Sequence, residues 1–153
     1  MTRFWKGALW GAVATVAMSV LMILAAVTGV SPMPKPIPAA IVGKLTGGEL
    51  PKPMLMATAA ILHLGYGAFW GGVLAAASER ITVWRGLVLG VGLWLLMQII
   101  VLPFLGWGLF GVGQTPKIAL ATLILHLVYG VTLGAALQWW APPVAPSVRE
   151  AEP

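Results

Sequence analysis

The chain contains two histidines, and both sit in the same short phrase: His63-Leu64-Gly65-Tyr66-Gly67 and His126-Leu127-Val128-Tyr129-Gly130. An imidazole changes charge near neutral pH, accepts or passes a proton, and binds a metal through either ring nitrogen. Each histidine lies in an apolar run long enough to cross a bilayer, where an ionisable side chain is costly and marks a site by default. A phenol follows three residues later in each phrase, one turn along the same helical face.

Other polar residues fall at the same depth. Ser19 and Gln98 each stand 13 residues beyond a basic residue, Lys6 and Arg85, which is about 20 Å along a helix. His63 stands 16 residues before Glu79, about 24 Å from that same surface, and His126 shares its depth. Ser19, His63, Gln98 and His126, with Tyr66 and Tyr129 beside them, therefore form one polar layer near the bilayer centre. Thr58, Thr122 and Thr132 add hydroxyls. Pro103 frees the carbonyl of Ile99 and is expected to kink the third helix close to Gln98.

Several chemistries fit such a layer. Histidine and glutamine can simply hydrogen-bond across helices and fix their register. They can equally line a site for protons or a small polar solute, with neutral imidazoles as acceptors. His63 and His126 could also be the two axial ligands of a b-type haem, with glycines making room for the macrocycle. Against haem, no Arg or Lys lies within the helices to meet the propionates. A metal site is thinly supplied, since two His have no Cys or carboxylate partner. No catalytic residue is assigned: the spans hold no Asp, Glu or Cys, and a Ser19–His63 dyad would lack an orienting acid.

Composition shows what must carry this layer. Apolar residues make up 59% of the 153 and charged residues 8%, with a mean hydropathy of +0.95, too apolar for an ordinary soluble globule. The net charge of +5 comes from Lys and Arg scattered over termini and loops, so nucleic acid is not a partner and the bilayer is. The absence of cysteine excludes disulfides and thiolate metal sites. Four stretches free of Asp, Glu, Lys and Arg can span: roughly Gly7–Val30, Met54–Ala77, Gly86–Gly113 and Ile118–Trp140. Backbone groups in lipid must be satisfied internally, and no strand-like alternation is present, so these are helices. The first is too long for a signal-peptide core and is expected to be retained.

The chain repeats itself. Trp5-Lys6-Gly7-x-x-x-Gly11 matches Trp84-Arg85-Gly86-x-x-x-Gly90, displaced by 79 positions, and Met18-Ser19 falls on Met97-Gln98 at the same displacement. In the second helices the displacement is 63, placing Pro53, His63, Tyr66, Gly67 and Gly71 on Pro116, His126, Tyr129, Gly130 and Gly134. Residues 1–78 and 79–141 thus read as two hairpins running in the same sense, parallel repeats about a pseudo-twofold along the membrane normal. The first copy carries a longer, Pro-rich loop, 31–52. In it Pro38–Leu45 can form a short interfacial helix with Ile41, Val42 and Leu45 on one face and Gly47 to end it. Residues 142–153 have no apolar face and are expected to be a disordered tail.

Every helix also carries a Gly-x-x-x-Gly pair: Gly7/Gly11, Gly67/Gly71, Gly86/Gly90 and Gly130/Gly134. Small residues at this spacing let backbones approach closely. All four pairs fall in the leaflet on the Trp5 side, so the bundle should pack tightly there and splay towards the proline loops, opening a cavity on the loop side. Five Lys and Arg against four favour cytoplasmic N- and C-termini. The fold predicted is an all-α integral membrane protein with four transmembrane helices in two tandem hairpins. It could also form a homo-oligomer, or dock on a larger membrane complex as a structural subunit through its glycine faces.

The run Trp84-Arg85-Gly86-x-x-x-Gly90, followed by Pro103-x-x-Gly106 and His126-Leu127-Val128, resembles the C-terminal half of the YagU-like inner-membrane proteins of bacteria. It covers the third and fourth helices and, through the repeat, touches the first two. The resemblance implies a bacterial inner-membrane location and a loose association with acid tolerance.

Overall fold

The computed structural model describes residues 1–140, and the expected tail lies outside them. The described residues are helical without strands: α1 (Arg3–Val27), α2 (Ile37–Leu45), α3 (Lys52–Ala77), α4 (Val83–Leu96), a π turn (Met97–Val101), α5 (Leu102–Phe104), a 3-10 turn (Leu109–Gly111) and α6 (Lys117–Trp139). Four helical spans, the third running Val83–Leu105 through the π turn, are long and apolar enough to cross a membrane. Sequence chemistry sets their ends. Thr28 bonds back to the Leu24 carbonyl at 2.7 Å, and Gly29 then turns left-handed at φ +73 and stops α1. Proline occupies the first turn of α2 and of α3, where its missing N–H leaves nothing unpaired.

The third span ends earlier than the charge-free run to Gly113. Gly106 and Gly108 adopt φ +81 and +76 and turn the chain out of the helix after Leu105, which hydropathy alone does not register. Pro103 acts as a widened turn. The Leu102 N–H reaches back five residues to the Met97 carbonyl, and the helix continues through Phe104. A π turn makes room for a ring that would otherwise crowd the preceding carbonyl.

α1 packs along α3 and α4 along α6, while α1 and α6 join the two pairs. Apolar burial gives little drive between helices in lipid, so close contact must hold them. The contact is made of glycine. A Cβ added at Gly7 or Gly11 would run into the carbonyl of Gly71 or Gly67, and one added at Gly86 or Gly90 into that of Gly130 or His126. Trp5, Trp84, Trp139 and Trp140 are exposed at this end, as interfacial aromatic side chains are. Arg3 there donates to the Ser78 and Glu79 carbonyls.

At the other end the pairs are bridged by α2. Its Ile37 and Ala40 join Met97, Leu102, Trp107 and Ile118 in one buried cluster, and its Ala39 and Val42 pack on Ala59 of α3. Leu45, which shares one apolar face with Ile41 and Val42, is 66% exposed. A nine-residue helix wedged between two neighbours buries two adjacent faces near its start, and its last turn projects past both.

Candidate functional site

Beneath α2 lies a cavity of about 360 Å³. α1 and α6 form its back, with Thr15, Met18, Met22, Thr122, Leu125, His126 and Tyr129. α3 gives Leu62, His63, Tyr66 and Gly67; α4 and the π turn give Leu93, Leu96, Met97 and Val101; Met33 and α2 close the loop side. Among the described residues its lining holds no charged side chain. The two histidines, distant in sequence, face this one space from different helix pairs.

Each imidazole is held at Nδ1. In His126 that nitrogen lies 2.8 Å from the Thr122 carbonyl one turn back. A carbonyl only accepts, so Nδ1 carries the proton and neutral His126 presents Nε2 as a bare lone pair. In His63, Nδ1 lies 3.3 Å from Ser19 Oγ on α1. Neither Nε2 has a protein partner among the described residues. The spacing of Ser19 and His63 thus yields a hydrogen bond between α1 and α3, and among the described residues no carboxylate lines the site to orient such a pair for nucleophilic work.

Gln98 behaves differently from Ser19. It is fully buried, and its Nε2 donates to Thr122 Oγ1 at 2.9 Å while that hydroxyl donates to the Ile118 carbonyl at 2.7 Å. Gln98 thereby braces the residue that anchors His126 and does not line the cavity. Its Oε1 is the one buried side-chain polar atom without a partner among the described residues. An unmet acceptor is costly, so Gln98→Met is expected to raise stability by about 1 kcal/mol in detergent unfolding. A loss of that size would mean that Oε1 is satisfied after all.

The tyrosines divide as well. Tyr129 is buried and donates to the Gly67 carbonyl at 2.7 Å, tying α6 to α3 across the two pairs. Tyr66 is 41% exposed and packs edge-on against Trp70, reaching the cavity only at its margin. Thr58 and Thr132 do not line the cavity, whereas Thr122 does. Sequence reasoning passed over two sets of residues. Thr15 bonds to the Gly11 carbonyl and fills the space beside Gly67, and four methionines line the walls. The alignment of Met18 with Met97 was the available signal.

Fold and site together define a small polytopic helical protein with an uncharged, histidine-lined cavity between two glycine-sealed helix pairs. The chain belongs to a family of unknown function, DUF6789, which it matches over residues 1–148. Nothing in that match ties it to the YagU-like proteins. No curated protein and no solved structure matches it.

Proposed function

We propose that this protein handles a small solute within the membrane, in the cavity between His63 and His126, with the two Nε2 atoms as its polar contacts. The observation that carries this is the pairing of a built cavity with two imidazoles anchored at Nδ1 and unpartnered at Nε2. Ligand sites are mostly apolar hollows of this size with a few convergent polar groups. Haem fits less well, because among the described residues no cationic side chain lines the cavity to meet its propionates. The setting we propose is a multi-pass protein of the bacterial plasma membrane with cytoplasmic termini. Its two hairpins are parallel repeats, and the cavity lies at their interface, where such proteins bind their solutes.

A chain without cysteine offers a clean test. Leu125→Cys faces the cavity and Ile124→Cys, its neighbour, faces outward. The thiolate, which forms where water reaches and not in lipid, attacks a methanethiosulfonate to form a mixed disulfide and release methanesulfinate. Leu125→Cys is expected to react with a small charged methanethiosulfonate roughly tenfold faster than Ile124→Cys, in proportion to its thiolate fraction. Equal resistance at both positions would mean a dry core and a polar layer that serves only helix assembly.

A further inference from the structure

The methionines around the cavity are not explained by a solute site of unspecified chemistry. Four of the seven in the chain line this one space. Met18 adjoins Ser19, whose hydroxyl meets His63. Met97 adjoins Gln98, which braces Thr122, and the Thr122 carbonyl holds His126. Each helix pair therefore contributes an imidazole and at least one thioether to the same hollow. Met22 lies one turn beyond Met18 towards the loop side, and Met33 follows beside α2.

We propose that the cavity binds a soft monovalent metal ion, Cu⁺, through Nε2 of His63 and His126 and the sulfurs of Met18 and Met97, with Met22 and Met33 along the approach. This rests on the reading of the cavity as a solute site and names its solute.

Three lines of chemistry lead there. A metal-bound imidazole almost always gives its other nitrogen to a carbonyl or similar group, which fixes the tautomer and aims the ligating lone pair. The Thr122 carbonyl does this for His126, and the Ser19 hydroxyl, which can accept as well as donate, gives His63 a matching outer contact in the tautomer that carries its proton on Nδ1. The donor set then selects the ion. Thioethers with imidazoles suit Cu⁺, whereas Mg²⁺, Ca²⁺ and Mn²⁺ want carboxylates. No three His, Cys, Asp or Glu gather among the described residues, so the usual zinc set is missing. Charge points the same way. The lining is neutral, and desolvation costs a doubly charged ion far more than a singly charged one. Methionine also fills irregular gaps in cores, but a filler does not account for two imidazoles anchored at one nitrogen and open at the other in the same hollow.

The test is competition for Cu⁺ between the purified full chain and bathocuproine disulfonate, with ascorbate keeping the metal reduced. The wild type is expected to hold one ion per chain, with sulfur and nitrogen donors visible by X-ray absorption. Met18→Leu with Met97→Leu conserves volume and should weaken retention about tenfold or more, the least that losses at metal sites commonly cost. His63→Gln with His126→Gln should do the same. Met54→Leu with Met56→Leu, exposed and outside the cavity, should change nothing. The proposal is overturned if the wild type holds no Cu⁺, or if retention follows Met54 and Met56 and ignores the cavity variants. Absence of Cu⁺ with Leu125→Cys still reactive would sink the copper assignment alone. An unreactive Leu125→Cys would take the parent reading with it.

Discussion

Gly130→Leu is expected to cost about 3 kcal/mol of stability, the upper part of the range for overpacking a close contact. The reason is backbone geometry. A Cβ at Gly130 would stand 2.5 Å from the Gly86 carbonyl oxygen and 3.1 Å from Leu87 Cα, so α4 as a whole must move before a side chain fits. Gly67→Leu should be destabilising too. There the first obstacle is the Thr15 hydroxyl, with Thr15 Cβ at 3.1 Å, and a side chain yields more readily than a helix. Alanine substitutions should therefore rank Gly130 above Gly67. Gly65→Leu is the control, since nothing lies within 4 Å of its added Cβ, and surface changes of that kind stay within about 0.5 kcal/mol. Thermal unfolding in detergent measures all three. Indistinguishable Gly130→Leu and Gly65→Leu proteins would remove the glycine contact as the seal between α4 and α6.

Leu102→Ala is the second large effect, at about 3 kcal/mol for a fully buried leucine truncated to alanine. Leu102 is 0% exposed and sits just past the π turn, in one cluster with Ile37, Ala40, Trp107 and Ile118. The void would open under α2, so the loss should be local as well as global. Hydrogen exchange should show α2 amides losing protection while those near Gly67 and Gly130 keep theirs. Uniform loss along every helix would argue that the loop-side cluster and the glycine end unfold as one unit.

The four spans were legible because lipid-crossing helices must be long and apolar, and nothing subtler is needed to find them. The end of the third was not, because hydropathy does not register that Gly106 and Gly108 take positive φ. The short helix of the proline loop was legible from Pro38 and Gly47, but periodicity identifies one apolar stripe and does not foresee a helix pressed from two sides. At the site, the depth count brought His63, His126 and Ser19 to one level, and the structure places the first two on a shared cavity. It could not tell that Gln98 turns away to brace Thr122, or that Tyr66 lies at the margin while Tyr129 is enclosed. Those outcomes depend on the rotation of each helix about its axis, which near-uniformly apolar spans leave unspecified.

α6 is the most enclosed of the four spans, touching both α1 and α4 and bringing Thr122, Leu125, His126 and Tyr129 to the back of the cavity. It is also the last of them to leave the ribosome. Until it arrives, His63 has Ser19 but no opposing imidazole, Gln98 has no hydroxyl to hold, and Gly86 has no carbonyl to rest on. Without α6 the back of the hollow is missing, so the hollow comes into being only when this last span docks on the pair already formed by α1 and α3. Any occupant is therefore acquired only once α6 has docked.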